Sequence, residues 1–280
     1  MLSYRHLFHA GNFADVFKHA LLTRLLIALG SKDKPYFYLD THAGIGRYDL
    51  THPWAQKARE YENGIGRLWK RNDIPPALAP YLDAVRAENP DRKLRFYPGS
   101  PLIAKRLMRA GDRMVLTELN RTDCASLAKL FAHEKRVAVE LLDGYHALKA
   151  HLPPRERRGL VLIDSSFDRA REFARLVAAL AEAHERWATG MYAIWYPLMA
   201  PGDMRNFERH VKETGIRKIL ELELAVQNEG AALTVPGCGM LVVNPPWRFE
   251  DEARPLLQWL WRALAHEGAG GAKVEWLVPE

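Results

Sequence analysis

Two cysteines, Cys124 and Cys238, are all that the 280 residues contain, and they form no C-x-x-C pair. Neither a disulfide framework nor a zinc knuckle is indicated, and a reducing cytoplasm is the expected setting. No run of about 18 apolar residues occurs, so no membrane-spanning helix is expected. The opening MLSYRHLFHAGN has no signal-peptide hydrophobic stretch, which argues against export. Internal repeats, low-complexity tracts and Gly/Ser linkers are also missing. Neither sign of charge dominates: 40 Lys+Arg against 34 Asp+Glu leave +6. That excess permits a polyanionic partner without demanding one.

What is present is a core-forming chain, 48% apolar, long enough for one large domain or for a domain carrying an insertion. β-rich apolar runs alternate with helical patterns, as in a doubly wound α/β sheet. Strands are expected at 36–41, 114–118, 137–142, 160–164, 191–196, 219–224 and 240–244. The last two are separated by a glycine-bearing stretch, 228–239, with no amphipathic helix. They read as an antiparallel pair, which separates a seven-stranded methyltransferase sheet from a dehydrogenase sheet. Helical periodicity at 61–70 and 76–89 marks residues 50–96 as a helical insertion between the first and second strands, packed on the same core in a single domain spanning 1–280.

The most informative segment is PYFYLDTHAGIGRY, in which an apolar run ending at Asp40 enters the turn Ala43-Gly44-Ile45-Gly46. Such a junction lets unobstructed backbone approach a nucleotide-like ligand. A dinucleotide fingerprint needs a third glycine, where Asp49 stands. A P-loop needs Gly-Lys-Ser/Thr, where Arg47 and Tyr48 follow Gly46. S-adenosylmethionine has no phosphate to cradle, and D-x-x-x-G-x-G suits it; an ordinary strand-to-turn junction is the plainer reading. Glu118 and Asp143-Gly144 end the second and third strands. With Asp40 they would line one edge of the sheet, where Glu118 could accept ribose hydroxyls and Asp143 could sit beside an adenine. Acids at strand ends also cap the following helix, and that alternative stays open here.

The fourth strand ends in Asp164-Ser165-Ser166-Phe167, at the place where amino-directed adenine and cytosine methyltransferases carry D/N-P-P-Y/F. An adenine amine is a poor nucleophile because its lone pair is delocalised into the ring. An acidic acceptor and a stacking aromatic favour the reactive geometry, and Asp164 and Phe167 supply those two parts. The prolines, and the backbone restriction they impose, are replaced by serines. By letters Asn244-Pro245-Pro246-Trp247 is the better match, but it ends the last strand of the hairpin, far from Gly44. It reads as a proline stop with Trp247 buried against a helix over 250–266.

The N-terminus is dense in polar and aromatic groups. Tyr4, Arg5 and His6 precede a helical pattern over 13–27 that carries Asp15, Lys18 and His19. Asp15 and His19 share a helix face, but no H-E-x-x-H or cysteine pairing accompanies them, so no metal site is expected. A rim on a nucleotide site fits better, with Tyr4 stacking on a base and Arg5 and Lys18 neutralising phosphate or the cofactor carboxylate. Arg47 and Lys57 could add to the phosphate contacts.

Taken together, MLSYRHLFHAGNFADVFKH, YLDTHAGIGRY, YPGSPLIA, TEL at Glu118, DG at Asp143, RRGLVLID, ATGMYAIWYP, TGIRKIL, NPPW and VPE resemble the RlmJ family over nearly the whole chain. The resemblance implies N6 methylation of an adenine in 23S rRNA with S-adenosyl-L-methionine, by a class I methyltransferase sheet with a helical insertion. It also implies a naked rRNA or an early assembly intermediate as partner, a cytoplasmic location, and neither a membrane nor an obligate protein partner. By position, His19, His42, Ser100, Glu118, Asp143, Gly144 and Asp164 would contact the cofactor, together with Lys18, Asp40 and Gly44 from the reading above. Asp164 would be catalytic, with Phe167 beside it, and Tyr4, Arg5 and His6 would meet the RNA. His42 and Ser100 come from the resemblance alone. The family's D-P-P-Y reads D-S-S-F here. Two alternatives remain beside this reading: N6-adenine methylation of DNA, and a catalytically silent RNA-binding protein that retains the fold.

Overall fold

The computed structural model describes residues 5–167, 171–227 and 236–280. Among the described residues ten strands form, in chain order: β1 (Phe37–Asp40), β2 (Arg47–Asp49), β3 (Phe96–Pro98), β4 (Arg113–Glu118), β5 (Val137–Leu141), β6 (Gly159–Ile163), β7 (Met191–Pro197), β8 (Ile219–Ala225), β9 (Gly237–Val243) and β10 (Gly271–Val278). Eight of them make one sheet in the order β10-β8-β9-β7-β6-β1-β4-β5. β1 is the middle one of the five parallel strands: it pairs with β4 and β6, and β5 and β7 continue the parallel part outward. β9 runs antiparallel to both β7 and β8. This is the class I methyltransferase sheet expected from the sequence, with the hairpin strands antiparallel. Residues 228–235 of the connecting stretch lie outside the described residues.

Two pairings escape the sequence reading. β10 adds an eighth strand to the sheet, antiparallel to β8. Its Lys273 Nζ reaches Glu221 Oε2 at 2.5 Å and so balances a carboxylate that the edge would otherwise bury unpaired. β2 and β3 form a separate antiparallel ribbon, Arg47 opposite Pro98 and Asp49 opposite Phe96. That ribbon closes the base of residues 50–96, which hold the helices Pro53–Ala58, Ile65–Trp69 and Ala79–Ala87.

A long helix, α1 (Phe13–Gly30), lies against the sheet. Asn12 caps it, its side chain accepting the Asp15 N–H at 2.9 Å. Apolar residues cover nearly its whole circumference because it is enclosed on several sides, touching the helix Phe249–Leu264 and the helix Ala79–Ala87 as well as the sheet. Ile65, Leu68, Tyr81, Leu82 and Val85 of the 50–96 segment join the same core cluster as α1. The opposite face of the sheet is covered by the helices Gly144–His151, Glu172–Arg186 and Pro201–Glu213, through Leu148, Leu180 and Phe207 among others.

The Asn244-Pro245-Pro246-Trp247 expectation needs one correction. Trp247 is 92% exposed rather than packed on the helix that follows it. The helix Phe249–Leu264 turns inward only from Phe249, and Trp247 precedes that turn. The position of the motif accords with its dismissal. β9 is antiparallel, so Val243 pairs with Tyr192 near the start of β7, and Asn244 falls at the amino edge of the parallel strands.

Candidate functional site

At the carboxyl edge, the chain leaving β1 turns through Gly44 (φ 60°) and Gly46 (φ 77°), both in the left-handed region that favours glycine. The Gly44 N–H donates to Glu118 Oε2 at 3.0 Å, while Glu118 Oε1 accepts the Asn120 N–H at 2.7 Å. The acid at the tip of β4 is thereby fastened to the glycine turn. Burial raises its pKa against these two amide bonds. Asp40 is fully buried and accepts from the Tyr38 hydroxyl at 2.9 Å and from the His42 N–H at 3.4 Å, and Ser100, at the amino end of the helix Ser100–Leu107, lies near it. Burial pushes its carboxyl up to about 6, and the nearby Asp164 charge adds to that.

At the next strand end, Asp143 caps the helix Gly144–His151, its Oδ1 accepting from the Tyr145 and His146 amides at 3.0 and 3.2 Å. Its Oδ2 accepts from Arg175 at 2.7 Å. Burial alone would raise the Asp143 pKa, but the Arg175 bond and the amides lower it overall. The helix-cap alternative therefore holds for Asp143, which leaves part of Oδ2 for a further donor. Gly144 is required by close approach: a Cβ there would stand 2.3 Å from the Thr41 carbonyl oxygen. His42 bonds through Nδ1 to the Thr41 hydroxyl at 2.8 Å, and burial lowers its pKa.

Asp164 follows β6 and faces α1. Lys18 Nζ lies 2.5 Å from Asp164 Oδ2 and 2.9 Å from Asp15 Oδ1. Asp15 Oδ2 in turn bonds to His6 Nε2 at 3.0 Å and to the Gly11 N–H at 2.9 Å. Burial opposes both charges, yet His6 and Lys18 hold Asp15 well below the carboxylate range, and the two acids hold Lys18 well above the lysine range. The result is a buried carboxylate, ammonium, carboxylate chain, so the Lys18 charge is already balanced inside the protein. Asp164 itself stays 17% exposed and open to a ligand. One turn along α1 from Asp15, His19 Nδ1 bonds to the Tyr97 hydroxyl at 2.7 Å, while its Nε2 is buried with no partner among the described residues. Burial drops the His19 pKa to about 3, leaving a neutral ring.

Phe167 packs between Phe173 and Trp195, with ring centroids 4.8 and 5.9 Å away. Arg5 stands 3.7 Å from Asp123 and over the Trp54 ring, on the rim. Arg47 lies over Phe96 and near Glu88, and Lys57 is exposed. Tyr4 lies outside the described residues. Lys18, His19, Asp40, His42, Gly44, Ser100, Glu118, Asp143, Gly144 and Asp164 thus gather around one edge of the sheet. Sequence reasoning did not find Arg175, Tyr145 or the pairing of Lys18 with Asp164. Only the Asp15/Lys18 spacing of three on a helix signalled any of this network.

A family model described as "Ribosomal RNA large subunit methyltransferase D, RlmJ" matches residues 33–278. The chain is 45% identical over 280 residues to ribosomal RNA large subunit methyltransferase J of Escherichia coli, covering all of both chains. It is equally 45% identical over 281 residues to the protein of that name from Haemophilus influenzae, again over the whole of both. Among solved structures, a Legionella pneumophila protein superposes with a TM-score of 0.89 at 38% identity, covering 96% of this chain and 98% of its own.

Proposed function

Because the chain belongs to the RlmJ family, we propose that it methylates the N6 amine of adenine 2030 in 23S ribosomal RNA, using S-adenosyl-L-methionine. The observation that carries the chemistry is Asp164, partly open, at the carboxyl edge beside the Gly44–Glu118 turn. The residues present suit such a cofactor. Glu118 retains acceptor capacity for ribose hydroxyls, Asp143 Oδ2 can take an exocyclic amine, and the unpartnered His19 Nε2 is a buried polar atom awaiting a ligand. Lys18, Asp40, His42, Gly44, Ser100 and Gly144 complete the proposed contacts.

When bound, the cofactor supplies an electrophilic methyl group on its sulfonium. The protein's task is to present the acceptor. Lys18 holds Asp164 Oδ2, which turns Oδ1 toward an incoming amine. By accepting an N–H bond, Asp164 favours a pyramidal nitrogen whose lone pair faces the methyl group, and Phe167 stacks on the base. Tyr4, Arg5 and His6 would guide the RNA, with Arg47 and Lys57 on its phosphates, giving salt-dependent affinity. Residues 50–96 serve as a helical insertion within one domain. Free rRNA or an early assembly intermediate is the proposed substrate form, with no protein partner required. No helix among the described residues is long and apolar enough to cross a membrane, and the substrate argues for the cytoplasm.

Transfer of labelled methyl from S-adenosyl-L-methionine to unmodified 23S rRNA, followed by mapping, tests the assignment. Label at adenine 2030 is the expected result. Label at another base, a preference for a matched DNA hairpin, or RNA and cofactor binding without transfer would each overturn it.

A further inference from the structure

Phe8 and Trp54 form a ring pair that the core does not absorb. Tyr61, Trp69, Tyr81 and Tyr97, from the same part of the fold, pack into or against the buried cluster, whereas these two do not. Trp54 is 41% exposed, and its ring lies nearly parallel to that of Phe8, with 5.4 Å between centroids and 12° between planes. His52 meets it edge-on at 5.3 Å and also fixes its backbone, since His52 Nδ1 accepts the Trp54 N–H at 3.2 Å. The pair bridges the N-terminal turn His6–Phe8 and the helix Pro53–Ala58. Glu60, just beyond that helix, ties the same two parts together by bonding His9 Nδ1 at 3.0 Å and accepting from the Asn12 amide at 2.9 Å.

A rigid indole that still faces solvent suits a flat π-system, and its surroundings select the kind. The Arg5 guanidinium, 40% exposed, lies 5.8 Å from the Trp54 centroid, and the exposed Lys57 stands one turn further along the same short helix. Cations beside an aromatic face match a nucleotide, which carries both a base and a phosphate, better than an apolar peptide. The position matches as well. His6, in the same turn as Phe8, bonds Asp15, Asp15 holds Lys18, and Lys18 holds Asp164. The ring pair is thus built onto the frame that holds the carboxylate proposed to receive the amine. An adenine taken out of its stack leaves a neighbouring base without a partner face, and a ring fixed beside the site can supply one.

Resting on the reaction assigned above, we propose that Trp54, backed by Phe8, is a stacking platform for an unpaired rRNA base next to the target adenine. The test uses the full-length chain and an unmodified 23S rRNA fragment containing the target, and reads RNA Kd, its salt dependence and single-turnover methyl transfer. Trp54→Ala should raise the RNA Kd by about tenfold. The rate at saturating RNA should fall much less, and the slope of log Kd against log salt should not move, because a stacked ring releases no counterions. Trp54→Phe should regain most of the affinity, and Trp54→Leu should not. Trp247→Ser, another exposed tryptophan but at the amino edge, is the matched control and should bind RNA as wild type does. Should Trp54→Ala not fold, tryptophan fluorescence decides: RNA should quench wild type more than Trp54→Phe, and equal quenching overturns the proposal. An unchanged RNA Kd in Trp54→Ala, full recovery by leucine, or sedimentation showing that Trp54 serves self-association and not RNA binding would also overturn it. A wild-type chain that binds the fragment but transfers no methyl group overturns the reaction assignment alone; one that binds no RNA overturns both.

Discussion

Asp164-Ser165-Ser166-Phe167 and Asn244-Pro245-Pro246-Trp247 are two versions of one short pattern, each placed just past a strand, and the sheet puts them at opposite edges. β6 is parallel to β1, so Asp164 emerges beside the glycine turn and meets Lys18. β9 runs the other way, so Asn244 emerges beside the start of β7 and caps backbone there: its side-chain amide donates to Ala188 and Gly190 carbonyls at 2.9 and 2.8 Å. Its φ of 52° is a left-handed conformation that Asn tolerates. Strand direction, more than spelling, decides whether such a pattern becomes chemistry or architecture.

If that division holds, Asp164→Ala should lower methyl transfer by on the order of 10²–10³-fold while the melting temperature moves little, since Lys18 keeps Asp15. Retained transfer would erase the contrast at its strongest point. Asn244→Ala should do the reverse. Loss of two carbonyl bonds and an alanine forced to positive φ predict about 2 kcal/mol less stability in urea unfolding, with transfer per folded molecule unchanged. Asn244→Gly should recover the backbone share. A fall in transfer by folded Asn244→Ala would show that the amino edge also takes part.

The pH dependence of stability gives a finer distinction. The Asp40 carboxyl is lifted from 3.8 to about 6 in the folded chain, so folding favours its protonated form. Its contribution is complete below the lower value and is lost as pH rises through the upper one. Relative to wild type, Asp40→Asn should therefore gain stability between about pH 4 and pH 7. A constant difference across that range would mean that Asp40 carries no buried charge. Trp247→Ser should have the smallest effect, within about 0.5 kcal/mol and with unaltered transfer.

Much of this contrast was legible in the sequence. Apolar runs and their spacing located the seven strands, because a sheet buried on both faces leaves long β-rich stretches. Tertiary pairing over long separations was not legible. The β2–β3 ribbon joins segments on either side of residues 50–96, and neither is long enough to show a period. β10, reading GAKVEWLV after a glycine cluster, alternates weakly and was missed at the edge. Trp247 was expected to be buried on hydrophobicity, but no local pattern reports which way a side chain leaves a proline stop. At the site, strand-end acids were visible by position. Arg175 and Tyr145 were not, since their partners are set by how two helices pack.

The two residues that meet at the heart of the site, Lys18 and Asp164, lie 146 positions apart. A chain segment that ends at Glu118 holds most of the groups proposed for the cofactor, but not the carboxylate proposed to receive the adenine amine. Asp164 follows β6, so its pairing with Lys18 depends on β6 lying beside β1.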